Sequence, residues 1–294
     1  MSPSPSPSVL APRPVLATDA AAMRARYPDA FRSHPARRAR AFALLAALLA
    51  MAVFAAWALD FNPRRIWMGL DRLGLFVSLL FPPDAGGRMP AFLKALGETL
   101  AIAFLGTLTA ALVAFPVAFL AAKNVVPNVF VHFSLRRVFD VSRSVDTLIW
   151  ALMWINVVGL GPFAGALAIA CSDFGAFGKL FSEAIEAADR KPAEGILAAG
   201  GSGVHRVRFA LLPQVLPVMA SQVLYFFESN TRSATIIGIV GAGGIGGYLT
   251  EFIRTLQMQE VCVIIIMILL TVAAIDFVSS RLRFAIIGRK VASA

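Results

Sequence analysis

EGILAAGGSGVHRVRFALLP, residues 194–213, is a polar stretch with the plan of two short helices joined by a turn. Glu194 to Ala199 reads as the first helix. Gly200, Gly201 and Gly203 make the turn, because glycine takes positive φ without a steric penalty. Val204 to Leu212 reads as the second element, and Pro213 starts the next span with a fixed φ. On either side lie apolar runs, roughly Pro162–Leu180 before it and Gln214–Val240 after it. Each is long enough to approach or exceed a hydrocarbon thickness of about 30 Å at 1.5 Å per residue. A polar helix–turn–helix between two such runs belongs to a membrane protein.

Composition agrees. The chain is 58% hydrophobic and 15% charged, with a mean hydropathy of +0.75, whereas soluble domains carry about 25% charged residues. The net charge is +10, but the basic residues stand beside apolar runs, where they signal topology. No basic module with interleaved aromatics is present, so nucleic acid is not an expected partner. Cys171 and Cys262 lie inside apolar stretches, and His34, His132 and His205 are scattered. Neither a disulfide framework nor a metal site is expected.

Working outward, four more spans are predicted: Ala41–Leu59, Thr99–Ala122 with Pro116 as a tolerated kink, Ser144–Leu160, and Val261–Phe277. With the two runs that flank residues 194–213, the count is six. Gly159–Pro162 makes a tight turn between the third and fourth. Between the first and second, Pro63–Leu80 has apolar Ile66, Leu70, Leu73, Val77 and Leu80 at helical spacing with Arg65, Asp71 and Arg72 between them. That pattern fits an amphipathic helix, lying in the membrane interface or packed in an external loop. Residues 1–35 are rich in Pro, Ser and Ala and read as disordered. The first apolar run begins too late and is too long for a cleavable signal peptide.

Arg37, Arg38 and Arg40 precede the first span, Lys123, Arg136, Arg137 and Arg143 lie between the second and third, and Arg281, Arg283, Arg289 and Lys290 follow the sixth. Basic residues collect on the cytoplasmic side, so both termini are expected there. The expected organisation is a disordered cytoplasmic tail over 1–40, a first transmembrane helix over 41–60, and an external segment with the amphipathic helix over 61–97. A core of five transmembrane helices over 98–283 contains the polar interruption 182–213, and a cytoplasmic end covers 284–294.

The spacing within 194–213 is specific: an acid at Glu194, a glycine six positions later at Gly200, then Ala210, Leu212 and Pro213. It resembles the EAA loop of bacterial ABC importer permeases, with Gly195 and Ile196 where that family more often has two alanines. GLGPFAG (159–165), GKLFSEAIEAAD (178–189), LLPQVLP (211–217), FESNTRSATIIGIVGAGGIGG (227–247) and SSRLR (279–283) extend the likeness over roughly the last half of the chain. Together they resemble the phosphonate ABC transporter permease. The resemblance implies an all-α, six-span importer permease bundle of type I kind in a bacterial inner membrane. It implies a second permease copy, identical or a paralogue, two cytoplasmic ATPase subunits, and a periplasmic substrate-binding protein. ATP and Mg would be bound by the ATPase, with no cofactor on this chain and no catalytic residue. Glu194, Gly200, Gly201, Ala210, Leu212 and Pro213 would couple to the ATPase.

Glu228 and Arg232 stand inside the fifth apolar run. Charges at membrane depth face a bundle interior or a water-filled path, and at i, i+4 these two can pair on one helix face. One reading is mutual neutralisation that fixes packing. The other is that Arg232, with Ser229, Asn230 and Ser233, lines a path and offers donors to an anion. The resemblance makes that anion a phosphonate, or alternatively phosphite or phosphate. Gly241, Gly243 and Gly244 would let the backbone bend at the outer end of that path.

Gly241-Ala-Gly243-Gly244-Ile-Gly246 also satisfies the dinucleotide-binding pattern, which would make the chain a membrane redox enzyme. No strand–helix alternation surrounds it. GAFGK (175–179) departs from a phosphate-binding loop, since Asp173 replaces its first glycine and Leu180 follows the lysine. An ion-coupled transporter acting alone is disfavoured by the scarcity of paired carboxylates in the spans.

Overall fold

The computed structural model describes residues 35–61 and 63–291; the tail expected to be disordered falls, up to residue 34, outside the described residues. Among the described residues every regular element is helical. The chain divides into two units, Met1–Leu73 and Gly74–Ala294, the boundary falling inside a helix.

In the first unit, α1 (Pro35–Ala58) starts several residues before the expected boundary at Ala41. From Phe42 to Trp57 its large apolar side chains are exposed, as a helix facing hydrocarbon requires. The amphipathic helix predicted at Pro63–Leu80 is α2, Pro63–Leu79.

The second unit is a bundle of long helices. α3 (Met89–Ala121) passes straight through Pro116. α4 (Val129–Ser144) is capped by Asn128, whose side chain accepts from the N–H groups of Phe130 and Val131. α5 (Thr147–Val158) is capped by Asp146, and α6 (Pro162–Glu186) comes next. After α7 (Arg190–Ala198), the chain enters α8 (Gly203–Arg206). A π-helical turn, Val207–Leu211, leads into α9 (Leu212–Ile239). α10 (Ile245–Arg254) and α11 (Met258–Val291) complete the fold.

Two expectations need correcting. The third span is expected at Ser144–Leu160, but its helix covers only Thr147–Val158, about 18 Å at 1.5 Å per residue. The Asp146 cap breaks the helix there, and the stretch Lys123–Arg143, expected as a loop, contains amphipathic α4 instead. By length and composition five helices can cross a membrane, Ala39–Ala58, Met89–Ala121, Pro162–Glu186, Gly203–Ile239 and Met258–Ile286, with Thr147–Val158 too short to count.

The second correction concerns Pro213, expected to begin a separate span. α8, the π turn and α9 form one uninterrupted helical run, Gly203–Ile239. Proline lacks a donor and its ring crowds the preceding turn. The widened turn, in which the Leu212 N–H reaches Val207 O, accommodates it without ending the helix.

Small residues on α3 (Ala110, Ala111, Ala114, Ala118) let α6, the π turn and α9 close in through Phe177, Phe181, Leu211, Val215 and Met219. α4 packs on α6 across the two glycines of GAFGK. A Cβ added at Gly175 would stand 2.5 Å from Phe139 O and 2.8 Å from Arg143 N. Those glycines make a helix-packing surface.

Candidate functional site

Two places in the fold gather the polar groups that the sequence singles out. The first is the turn between α7 and α8. Asp189 caps α7 by accepting from the Lys191 N–H, so this helix begins four residues before Glu194. At its other end Gly201 N–H donates to Ile196 O (2.9 Å) and Gly200 N–H to Leu197 O (3.0 Å). That is a Schellman closure, with Gly200 at φ +82° in the left-handed position. Ser202 then caps α8: its hydroxyl accepts from the His205 N–H, while the Ser202 N–H donates to His205 Nδ1. Both helix ends are satisfied by hydrogen bonds within the turn itself.

Glu194 is exposed on α7 and borders a recess of about 320 Å³ that Asn124, Asp189, Arg190, Leu197 and Arg206 also line. Ala210 is buried and Leu212 half-buried, at the foot of α9. Arg206 Nη2 donates to Asn124 O (2.8 Å), and Asn124 Nδ2 donates to Ile185 O (2.7 Å). Glu186 accepts from the Lys123 N–H (2.9 Å) and from Arg136 Nη2 (3.0 Å). The turn is thus tied to the ends of α3, α4 and α6.

The second place is the middle of α9. The Glu228 side chain is only 10% exposed, and its Oε2 accepts from Arg283 Nη2 at 2.9 Å. Arg232 Nη1 stands 3.8 Å from Oε1, with its side chain 50% exposed. The i, i+4 pair is present, but it is the looser of two. Ser279 Oγ donates to Leu224 O (3.2 Å), holding α11 against α9 one turn before Arg283.

Asn230 turns the other way. Its Nδ2 donates to Thr107 Oγ1 (2.8 Å) and Asp173 Oδ2 (2.5 Å), all three residues being buried. It cross-braces α3, α6 and α9 and does not share the exposed face of Arg232. Ser229 and Ser233 are half-buried beside that face. Gly241, Gly243 and Gly244 carry φ values of +99°, +82° and +79°. A Cβ at Gly243 would lie 2.7 Å from Pro162 N, and Gly161 N–H donates to Gly241 O (3.0 Å). The glycine-rich link therefore bends and packs directly on the α5–α6 turn.

Residues 114–291, which hold all of the first place and all of the second but Thr107, match the family described as binding-protein-dependent transport system inner membrane component. The chain belongs to this family. It is a transport permease and not an enzyme. A protein of Stutzerimonas stutzeri named for phosphite transport, the permease HtxC, is 40% identical over 255 residues, covering 87% of this chain and 90% of its own. PhnE2 of Escherichia coli (strain K12), named as a cryptic phosphonate transport permease, is 48% identical over 117 residues, 40% of this chain and 96% of its own. Among solved structures, an inward-facing MetNI methionine ABC transporter superposes with a TM-score of 0.62 at 18% identity, over 69% of this chain and 99% of that one. This shared backbone makes the permease fold that of ABC importers.

Sequence reasoning missed three parts of the permease site. Arg283 reads in sequence as a basic residue beyond the last span and as the end of SSRLR, and nothing in its local sequence points to a residue 55 positions earlier. Asp173 stands out in sequence only as a departure from a phosphate loop, although a carboxylate in an apolar run signals a buried partner. The Asp189 cap, three residues before Pro192, could have placed the start of α7.

Proposed function

We propose that this permease forms half of the translocation path of an ATP-driven importer for phosphonate or a related phosphorus oxyanion, with phosphite and phosphate as alternatives. Its assembly would hold a second permease copy, identical or a paralogue, two cytoplasmic ATPase subunits that bind ATP and Mg, and a periplasmic binding protein that delivers substrate. Both termini would be cytoplasmic in the inner membrane. The chain itself would hold no cofactor and alone transport nothing.

The observation that carries this reading is the continuity of Gly203–Ile239. The Schellman turn and α8 stand at one end of this helical run and Arg232 lies 29 residues along it, about 44 Å at 1.5 Å per residue. An ATPase seated on Glu194, Gly200 and Gly201, in the manner of an EAA loop, would pull on a rod that ends among the groups facing the substrate. ATP binding would close the ATPase pair, bring the two turns together and rotate the later helices outward. The structural relatives support the architecture, and the names of the sequence relatives support the choice of anion.

The test is uptake by the complete complex in proteoliposomes, with methylphosphonate, phosphite and phosphate offered separately. Uptake of at least one, dependent on ATP and on the binding protein, is expected. ATP hydrolysis stimulated by a different solute, with none of the three transported, would overturn the reading.

A further inference from the structure

We infer that Arg283 is a positioning residue for substrate: by neutralising the buried Glu228 carboxylate it leaves the charge of the Arg232 guanidinium uncompensated and available to a phosphorus oxyanion. This rests on the proposed role of α9 in the path.

The geometry divides the labour between the two arginines. A carboxylate that is 10% exposed needs a partner at hydrogen-bond distance. Arg283 supplies it at 2.9 Å with its own side chain only 23% exposed. Arg232, at 3.8 Å, is beyond hydrogen-bond distance and half exposed. Arg283 is held from a second direction, its guanidinium carbon lying 5.7 Å from the centroid of the Tyr225 ring. Ser279, one turn earlier on α11, fixes the helix that carries it.

One carboxylate and two guanidinium groups sum to a single positive charge, and it resides on the more exposed member. Tyr225, Ser229, Arg232 and Ile236 succeed one another at helical spacing along the same side of α9. Tyr225, Arg232 and Ile236 are exposed and Ser229 half-buried, so the spare charge stands on an open face with a hydroxyl beside it. A planar guanidinium is suited to two oxygens of a tetrahedral oxyanion. Without Arg283, Glu228 would draw Arg232 into the i, i+4 pair and cancel that charge. The sequence displays only the local pair and leaves both states open.

The experiment compares variants of the complete complex, each scored as anion taken up per ATP hydrolysed. The anion is whichever of methylphosphonate, phosphite or phosphate the wild type transports. Arg283→Gln is expected to lower this ratio about tenfold. Arg283→Gln with Glu228→Gln should regain most of it, because no carboxylate remains to capture Arg232. Arg232→Gln with Glu228→Gln should stay low, although it too removes the buried charge. If the two double variants transport equally, or if Arg283→Gln matches the wild type, the inference is overturned. A wild-type complex that transports none of the three anions overturns the functional reading, and the inference falls with it.

Discussion

Arg232 and Asn230 are two positions apart on α9, and the structure gives them opposite duties. Arg232 is half exposed beside Ser229, whereas Asn230 is buried between Thr107 and Asp173. Their substitutions should therefore fail differently. Arg232→Ala removes a cation from an exposed face and should leave the thermal melting of the purified complex within a few degrees of wild type. Uptake of the transported anion should fall at least tenfold, as expected for the loss of one charge-assisted contact. Normal uptake by a folded Arg232→Ala complex would remove this residue from the path. Asn230→Leu strips a donor from the buried Asp173 carboxyl. Leaving such a group unsatisfied costs about 1–3 kcal/mol, so the melting temperature should drop clearly, and an unchanged one would refute the brace. Both residues are polar groups in an apolar run, and the reading from sequence places both along one path. Residues two apart on a helix point about 200° apart, but only the position of α3 and α6 tells which direction is inward.

The α7–turn–α8 element was legible in sequence because its chemistry is local. A Schellman closure needs a glycine at one position, within a few residues of the carbonyls it satisfies. Five of the six expected spans were legible for a similar reason, since length and hydropathy are properties of a segment alone. What escaped was α4, whose alternation of Arg, Asp and Phe looks like a loop until α6 offers it a glycine-lined surface at Gly175 and Gly178. The α8–α9 junction escaped too, because a proline reads as a stop unless a π turn takes up the distortion. At this scale Gly200→Leu is the informative substitution. A leucine at φ +82° pays the left-handed penalty of about 1–2 kcal/mol and should unseat the turn while the core of the bundle stays intact. Substrate-stimulated ATP hydrolysis by the assembled complex is expected to fall severalfold. An unchanged rate would show that the turn does not transmit motion. Arg206→Ala should weaken the same stimulation, since it frees α8 from the Asn124 carbonyl, and purified complexes compared at equal subunit ratios would measure it.

Within the second unit the direction of the chain can be traced by its end contacts, and these bear on how many times it crosses. Lys123, just after α3, donates to Glu186 at the end of α6, and Arg136 in the first half of α4 reaches the same carboxylate. The end of α3, the start of α4 and the end of α6 therefore coincide. Further along, Ser142 Oγ donates to Cys171 O and Thr147 Oγ1 to Ser172 Oγ, so α4 and α5 together run antiparallel to α6 and meet it at Gly159–Pro162. α5 alone is too short to cross, but α4 and α5 in series match the length of α6. The Asp146 cap divides that passage into a polar half and an apolar half. A crossing built this way would have two pieces, with Leu160 at the opposite end of α6 from Lys123 and Glu186. This makes a topology experiment decisive. In a variant with Cys171 and Cys262 replaced by alanine, single cysteines at Asn124 and Ser202 should react with an impermeant maleimide only in inside-out vesicles. Cysteines at Leu160 and Gln257 should react only in right-side-out cells. Labelling of Leu160 and Asn124 from the same side would mean that α4 and α5 dip in and return, and the sixth crossing would be lost.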